Sequence, residues 1–350
     1  MSREFHSLLD LWYGGQMARG YFDGKTVLIT GGTGSFGRAC VTTLLEKHDV
    51  KAIRIFSRDE LKQWEMRREF GDHRKLRFFI GDVRDFQRVK RATEGVDIII
   101  HAAALKQVPA CEYNPMEAIK TNVDGAMNVI NAALDNNIPR VIALSTDKAA
   151  SPVNLYGATK LCSDRLFIQS NAYRGKERKT MFSVVRYGNV MGSRGSVIPL
   201  FKKQMEKGEL TITDDRMTRF WITLPQAVDF VLTSLEVMQG GEMFVPKIPT
   251  MSILDLAKTI APDATCRIVG IRPGEKLHEC LITNEEGRIA YEMKDRFIVL
   301  SPSLVDVKND MTKYKGAKKL KEGFEYHSHT NEHFLTKEQM KKLLAEIEAH

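Results

Sequence analysis

The sequence predicts an α/β fold, with a doubly wound parallel sheet followed by a smaller, mixed α/β domain. Apolar runs alternate with helical patterns from residue 24 to residue 190, which is the order of parallel strands with crossover helices. The runs are rich in Val and Ile and barely alternate with polar residues, as strands covered on both faces do. A glycine-rich turn directly follows the first run.

Six apolar runs are the predicted strands, and four helical patterns accompany them. We predict strands at residues 26–30, 53–56, 76–80, 96–101, 141–146 and 182–187. We predict helices at residues 36–47, 61–70, 115–136 and 156–173. Near the end of the chain, Thr336 and Gln339 have the spacing of a capping box before an amphipathic helix that reaches about Glu348.

The domain organisation follows from a change after Gly192, where the elements become shorter and prolines more frequent. We expect residues 23–190 to form the first domain and residues 191–350 mainly a substrate-binding domain. The boundary is soft, because later segments can return to the first domain. Residues 1–22 form an N-terminal extension of unknown role, for which an oligomer contact is one interpretation.

Length and charge restrict the class of protein. The 350 residues, 43% of them hydrophobic, can bury a substantial core. No apolar run approaches eighteen residues, and Arg3, Asp10 and Arg19 interrupt the first twenty, so we expect no membrane association, no secretory signal and a cytoplasmic protein. The net charge of +8 is spread along the chain, which favours an anionic small molecule over nucleic acid as the partner.

The cysteines and histidines give no metal signature, and we expect no bound metal. The cysteines are scattered without a C-x-x-C pair, which argues against both a disulfide framework and a structural zinc site. His327, His329 and His333 have no accompanying ligand constellation, so a loop cluster of histidines is favoured over a metal site.

Gly31, Gly34 and Gly37 form a G-x-x-G-x-x-G turn between the first predicted strand and the first helix. Glycines at these positions allow a tight turn, a close approach to a pyrophosphate and close helix packing. The N-terminus of the helix adds amide donors and partial positive charge. The pattern in this context predicts a Rossmann-type dinucleotide site.

Arg58 indicates which nicotinamide cofactor is bound. It follows Ser57 at the end of the second strand, where NAD-binding proteins carry an acidic residue for the ribose hydroxyl. Arginine presents a planar fork to a 2′-phosphate, so NADP is favoured, although Asp59 keeps NAD as an alternative. Asp82, after the third strand, is placed to reach the adenine, and a helix cap is a compatible alternative.

The segment 145–148 and the helix after it carry the candidate catalytic residues. Tyr156 and Lys160 are four residues apart, so both side chains leave one face of a helix and the ammonium group can stabilise a phenolate. Lys148 follows Asp147 at a strand end, where a solvated surface charge is the ordinary interpretation. Next to a Tyr–Lys pair, these two residues can instead supply an acid and a base.

Several longer strings resemble the inverting UDP-N-acetylglucosamine 4,6-dehydratases, within the extended short-chain dehydrogenase/reductase superfamily. The resemblance covers about residues 24–335. Its strings are FSRDELKQ (56–63), HAAALKQVP (101–109), LSTDKA (144–149), RYGNV (186–190), MTRFW (217–221) and GIRPGEK (270–276). That family makes the first intermediate of pseudaminic acid, a sugar that glycosylates flagellins.

The resemblance implies a set of site residues. For catalysis it implies Thr146, Asp147, Lys148, Tyr156 and Lys160. Around the cofactor it implies Thr33, Gly34, Ser35, Phe36, Ser57, Arg58, Asp59, Glu60, Leu61, Lys62, Asp82, Val83, Ala102, Lys106, Leu144, Ser145, Tyr156, Lys160 and Val190. Around the substrate it implies Lys106, Asn189, Met217, Arg272 and Asn331. Met217 as a core residue and Arg219 as a surface ion pair remain alternatives.

The implied reaction begins with Tyr156, kept ionised by Lys160 and by the nicotinium charge of the cofactor, taking the sugar C4 hydroxyl proton. Lys148 then removes the C5 proton, for which its pKa has to be depressed, and Asp147, or a water that it orients, protonates the departing C6 hydroxyl. Retaining 4,6-dehydratases place glutamate where this chain has Lys148, so that residue favours inversion at C5.

Three alternatives remain open, two enzyme activities and one role without catalysis. A nucleotide-sugar 4-epimerase needs the Tyr–Lys pair but no C5 base, a retaining dehydratase differs only at C5, and a scaffold would bind NADP without turnover. The helices after Asn114 and Tyr156 are expected, by resemblance, to form a homo-oligomer interface, either dimeric or hexameric.

Overall fold

The computed structural model describes residues 20–175, 177–193, 196–301 and 314–348. In chain order the strands are β1 Thr26–Thr30, β2 Ala52–Ser57, β3 Leu76–Ile80, β4 Ile98–His101, β5 Arg140–Thr146, β6 Met181–Tyr187, β7 Asn189–Val190, β8 Glu209–Ile212, β9 Thr218–Ile222, β10 Glu242–Pro246, β11 Thr250–Ser252, β12 Thr265–Ile268, β13 Cys280–Ile282, β14 Ala290–Glu292, β15 Arg296–Leu300, β16 Lys318–Lys319 and β17 Tyr326–His327. The helices are α1 Ser35–Lys47, α2 Glu60–Glu69, α3 Phe86–Thr93, α4 Val108–Tyr113, α5 Pro115–Ile119, α6 Gly125–Asp135, α7 Leu155–Gln169, α8 Val197–Met205, α9 Leu224–Val237, α10 Ile253–Ile260, α11 Asn284–Gly287 and α12 Lys337–Glu348.

A ten-stranded sheet forms the centre of the molecule, in the order β3-β2-β1-β4-β5-β6-β10-β15-β14-β16. The strands from β3 to β10 pair in parallel, and the last three pair antiparallel. Strands β1 and β4 are buried along their whole length, because helices cover both faces of the sheet. The predicted doubly wound α/β fold is confirmed.

The predicted strands of the first half all exist, with ends displaced by two residues at most. The helix predicted at residues 115–136 is wrong as one continuous helix, because a π-helical turn, Lys120–Asp124, separates α5 from α6. The wider turn places Asn122 in the interior, where its amide donates to the Leu105 carbonyl and accepts from the Leu105 N–H. The sequence periodicity does not reveal this side-chain bridge. The last predicted helix of this half ends as a 3₁₀ turn, Ser170–Arg174.

The second half of the chain builds a smaller lobe and also extends the large sheet. Strands β10, β14, β15 and β16 join the sheet, whereas β7, β9 and β11 form a separate three-stranded sheet. Trp221, Leu256 and Met340 pack within the core of the smaller lobe. The predicted capping box is confirmed, since the Thr336 N–H donates to Gln339 Oε1 at 2.9 Å and the Gln339 N–H donates to Thr336 Oγ1 at 3.2 Å.

Of the predicted N-terminal extension, residues 1–19 lie outside the described residues. Phe22 is fully buried and packs in the main core, and the Tyr21 hydroxyl donates to the Leu235 carbonyl at 3.0 Å. The chain is therefore anchored to the first domain just before β1. Within the ranges described above, no helix is both long and apolar enough to span a bilayer.

Candidate active site

A cavity of about 620 Å³ lies at the carboxyl ends of the parallel strands. This is the edge of a doubly wound sheet at which ligands bind. The cavity brings together most of the predicted site residues. It is lined by Gly31, Thr33, Gly34, Ser35, Phe36, Gly37, Ser57, Arg58, Asp59, Lys62, Asp82, Val83, Ala102, Lys106, Leu144, Ser145, Thr146, Asp147, Lys148, Tyr156, Lys160, Asn189 and Val190.

The glycine turn after β1 has room for backbone alone. Gly31 adopts φ +66°, and a Cβ atom there would lie 2.9 Å from the backbone nitrogen of Ala103. A Cβ atom on Gly37 would lie 2.3 Å from the Gly32 carbonyl oxygen. Gly34 precedes α1 and supplies no side-chain cap, so a phosphate oxygen can accept from the first amides of the helix. The cradle therefore fits the diphosphate of a dinucleotide.

The far end of the cavity presents Arg58, which is half exposed and lies 3.7 Å from Asp82. The Asp59 carboxylate is engaged locally, because it accepts from the Lys62 N–H at 3.0 Å and contacts Lys62 Nζ at 2.8 Å. The alternative of Asp82 as a helix cap is wrong. Asp85 caps α3 instead, and Asp82 contacts Arg84 at 2.7 Å.

The catalytic segment is a 3₁₀ turn, Asp147–Ala149, at the end of β5. The Thr146 hydroxyl donates to Asp147 Oδ1 at 2.8 Å and accepts from the Lys148 N–H at 3.4 Å. Helix α7 begins after Asn154, whose side chain accepts from the Gly157 N–H at 2.7 Å. This cap places Tyr156 in the first turn of the helix, against the 3₁₀ turn.

Lys148 lies between two carboxylates. Its Nζ is 2.9 Å from Asp147 Oδ1 and 3.3 Å from Glu279 Oε1, and both acids are almost completely buried. Burial lowers the pKa of Lys148, but the two carboxylates more than offset it, so the pKa is raised above the ordinary lysine value. The expected depression of the Lys148 pKa is therefore wrong, because the sequence does not reveal the second carboxylate.

Tyr156 is buried, and burial raises the pKa of its phenol to about 12. The cation that lowers this pKa most is Lys148, and a side-chain hydrogen bond with Thr146 lowers it further. The expectation names Lys160 and the nicotinium charge together, and of the two lysines it is Lys148 that lowers the phenol pKa more. Burial lowers the pKa of Lys160, and the carboxylate that counters this effect is Asp164, one turn further along α7.

A buried ionic network supports the catalytic helix. Asp164 accepts from the Ser145 hydroxyl at 2.6 Å and lies 3.4 Å from Arg186, which in turn lies 2.8 Å from Glu286. Each member is at least nine-tenths buried. Since Glu286 belongs to α11, the network joins α7 to the second half of the chain.

Five predicted site residues lie outside the cavity lining. Glu60 and Leu61 stand in the first turn of α2, with the Leu61 side chain exposed. Met217 packs in the core of the smaller lobe, as the alternative stated, and Asn331 donates to the Ile248 carbonyl at 2.9 Å. Arg272 is exposed and lies 3.9 Å from Glu275.

Several residues in or beside the cavity are not marked by the sequence motifs. Glu279 contacts Lys148 from the other half of the chain, and its one local signal is an acidic residue directly before the apolar segment of β13. Arg219 is not a surface residue, because it is buried and lies 3.7 Å from Glu279. Thr121 and Ser193 line the cavity without any motif that marks them, whereas Tyr187, which also lines it, belongs to the RYGNV string.

Comparison with known proteins identifies the family. The model for the family described as polysaccharide biosynthesis protein matches residues 27–301. The chain belongs to this family. A Campylobacter jejuni member named UDP-N-acetylglucosamine 4,6-dehydratase (inverting) is 52% identical over 93% of this chain and 99% of its own length. The resemblance inferred from the sequence is confirmed.

Other relatives of this polysaccharide biosynthesis family member have different names. A Rickettsia massiliae protein named UDP-glucose 4-epimerase is 44% identical over 93% of this chain and 97% of its own length. The X-ray structure of Pen from Bacillus thuringiensis has a TM-score of 0.86 and 39% identity, and it covers 94% of this chain and 100% of that one. The names of the relatives therefore suggest two sugar-nucleotide activities, 4,6-dehydration and 4-epimerisation. The residues of the site have to decide between them.

Proposed function

We propose that this protein catalyses the NADP-dependent 4,6-dehydration of UDP-N-acetylglucosamine with inversion at C5. The product is UDP-2-acetamido-2,6-dideoxy-β-L-arabino-hexos-4-ulose, which the resemblance places at the first step toward pseudaminic acid for flagellin or surface glycosylation. The enzyme is a hydro-lyase acting in the cytoplasm as a homo-oligomer. The dehydratase name of the Campylobacter jejuni relative supports the reaction.

The cavity residues support NADP as the cofactor. The glycine cradle and the first turn of α1 would hold the diphosphate, and Arg58 would hold the 2′-phosphate through charge-assisted hydrogen bonds. Asp59 is occupied by its cap to α2, which leaves a plain ribose diol without that acceptor. When bound in this cradle, the cofactor would supply the hydride chemistry, which is removal of hydride from sugar C4 and its return to C6.

One observation carries the proposal: Lys148 and Asp147 form an ion pair of 2.9 Å beside Tyr156. The carboxylates favour the ammonium form of Lys148 in the free enzyme, so the reaction has to transfer one proton from Lys148 Nζ to Asp147 Oδ1, which produces a neutral amine and a carboxylic acid together. The amine is the base that the C5 proton requires, and the acid protonates the departing C6 hydroxyl. A single proton shift thus prepares both partners of the elimination.

The remaining steps follow from the same residues. Tyr156 removes the C4 hydroxyl proton, with Lys148, Thr146 and Lys160 stabilising the phenolate. The C4 ketone acidifies C5, Lys148 takes the C5 proton as Asp147 releases its own to the C6 hydroxyl, and water leaves. A proton that comes from solvent then adds to the opposite face of C5 and inverts that centre, while Lys148 retains the proton that it removed and the Lys148–Asp147 ion pair is restored.

Turnover of UDP-N-acetylglucosamine in deuterated water tests the reaction. The expected product is a 4-keto-6-deoxy sugar with deuterium at C5 and the L-arabino configuration, as judged by NMR. A product without deuterium at C5, or with the D-xylo configuration only, contradicts the proposal.

A 4-epimerase is the second candidate, because the Rickettsia massiliae relative bears that name. Epimerisation uses the Tyr156 chemistry at C4 and has no use for an acid and a base at C6 and C5. The same incubation separates the two activities, since an epimerase returns a C4 epimer that retains its C6 hydroxyl.

A further inference from the structure

We infer that Glu279 is a positioning residue of the elimination step, which sets the basicity and orientation of Lys148. The inference rests on the proposed function, in which Lys148 removes the C5 proton. Glu279 lies directly before β13 in the second half of the chain, and nothing in the catalytic motifs of the first half points to it.

Glu279 is held rigidly from its backbone. Its N–H donates to the Ser328 hydroxyl at 2.9 Å, and its carbonyl accepts from the Ser328 N–H at 2.8 Å. Ser328 is fully buried, and the Glu279 side chain is only 3% exposed. The carboxylate therefore has little freedom to leave the position that it occupies beside Lys148.

Three cations face this one carboxylate. Lys148 Nζ lies 3.3 Å away, Arg219 Nε 3.7 Å and Lys276 Nζ 3.8 Å. The adjacent His278 ring does not belong to this group, because its Nδ1 pairs with the Thr218 hydroxyl at 2.9 Å. Glu279 is thus the counter-ion of a small cationic cluster.

Lys276 ties the same segment to the catalytic turn. Its ammonium group donates to the backbone carbonyl of Asp147 at 3.4 Å and to that of Ala150. The segment from Lys276 to Glu279 thereby contacts both the backbone of the turn and the side chain of Lys148. These contacts hold Lys148 Nζ on the cavity side of the turn, where about a quarter of its side chain is exposed.

The chemical role follows from the charge changes of the elimination. When Lys148 accepts the C5 proton, its amine becomes an ammonium ion while Asp147 gives its own proton to the departing hydroxyl. Glu279 remains a carboxylate throughout and stabilises the cation that forms. The groups that face Lys148 are Asp147, Glu279, Tyr156, Arg219 and Lys276, so Glu279 is the one carboxylate among them that does not exchange a proton in the reaction.

Glu279→Gln tests this role, because it removes the charge and retains the shape. We expect the elimination, measured as C5 deuterium incorporation on the plateau above the pH limb of Lys148, to slow by about tenfold or more, because the neutral amine is then less basic and less well oriented. We expect reduction of NADP by the sugar, seen as a near-ultraviolet absorbance burst, to stay within about threefold, since that step uses Tyr156. The limb of the pH–rate profile that requires neutral Lys148 should move to lower pH by about one to three units.

Two further variants make the test specific. Glu279→Asp keeps the charge but withdraws it by one methylene, so the pH limb should stay near its wild-type position while the rate falls. Glu286→Gln also breaks a buried ion pair next to the same lobe, but its partner is Arg186, so it should lower stability and leave the pH limb in place.

Two outcomes would overturn the inference. One is a Glu279→Gln enzyme with the wild-type elimination rate and pH limb. The other is a uniform loss of both hydride transfer and elimination at every pH, which is the result of a merely structural role. If the wild type itself makes no 4-keto sugar, the proposed function fails. Nitrogen NMR of labelled lysine, assigned with Lys148→Ala, then still shows whether Glu279→Gln lowers the pKa of Lys148.

Discussion

A Cβ atom on Gly157 would lie 2.2 Å from the carbonyl oxygen of Lys148. No real Cβ atom approaches a backbone oxygen so closely, so α7 can pack on the catalytic turn only where the side chain is absent. The helix that carries Tyr156 and the turn that carries Lys148 are therefore assembled through a backbone contact. The spacing between Tyr156 and Lys148 depends on it.

Gly157→Ala should move these two elements apart. Alanine is favoured over glycine in a helix interior by about 1 kcal/mol, so a loss of stability must come from the contact with the turn. We expect dehydration to fall by about a hundredfold or more, because small misplacements of catalytic groups are costly. Cys162→Ala, an exposed site on the same helix, is the matched control and should keep its activity. Normal turnover by the alanine variant would show that the turn can shift to accommodate the added methyl group without loss of activity.

Lys148→Ala should separate the two halves of the reaction. Loss of the C5 base is expected to reduce formation of the 4-keto-6-deoxy product by about 100-fold to 10,000-fold. Oxidation at C4 should persist, although more slowly, because Lys148 also lowers the pKa of the Tyr156 phenol. Rapid-mixing absorbance of the nicotinamide and NMR of the sugar measure the two steps. Near-normal dehydration would remove Lys148 from the base role.

The sequence was sufficient for features that depend on local spacing. Gly31, Gly34 and Gly37 follow an apolar strand and precede a helix, so the glycine cradle can be predicted from neighbouring residues. Tyr156 and Lys160 share a helix face for the same reason. By contrast, Glu279 reaches Lys148 only because β13 folds back against the turn. No local rule connects residues from different halves of a chain.

The pKa prediction for Lys148 failed for the same reason. The pKa of Lys148 depends on how many carboxylates surround it, and the sequence shows only Asp147 beside it. Similarly, helical spacing indicates that Lys160 lies near Tyr156, but it does not reveal that Asp164 is the carboxylate that acts on Lys160. The pKa shifts of these side chains depend on which charges the tertiary structure brings next to them, and sequence spacing does not show this.

Arg58→Ala should weaken the selectivity for NADP. The guanidinium group is half exposed at the rim of the cavity, and a bidentate contact to a 2′-phosphate is charge-assisted. We expect the Kd for NADP to rise by about tenfold or more, with the Kd for NAD changed by less than about threefold. Arg74→Ala, an exposed arginine outside the cavity lining, serves as the control in the same calorimetric titration. Equal effects on both nucleotides would contradict a role at the 2′-phosphate.

His101 should make stability depend on pH. Burial lowers the pKa of this imidazole to about 3, with Lys160 acting in the same direction. Its Nδ1 pairs with the Thr30 hydroxyl at 2.8 Å, and its Nε2 has no hydrogen-bond partner among the described residues. The unfolded chain binds a proton near pH 6.5 and the folded chain does not, so the stabilising effect is complete above that pH and is lost as the pH falls toward 3.

The expected contribution of His101 to this loss is about 1.4 kcal/mol of unfolding free energy per pH unit within that window. Urea titrations at several pH values compare the wild type with His101→Gln, which should lack this part of the pH dependence. His329→Gln, at an exposed histidine, should retain it. Parallel curves for the wild type and His101→Gln would show that His101 titrates alike in both states.

The strand order of the large sheet has a consequence for synthesis of the protein. Strand β6 is covered on its outer side by β10, which is encoded far downstream and is itself paired with β15. A nascent chain that has emerged only to residue 190 therefore presents the unpaired backbone of β6 as an open edge, which can pair with another chain. The nucleotide-binding half is not an autonomous folding unit in this respect. Strand β6 acquires its second neighbour, β10, only after the other half of the chain has been synthesised.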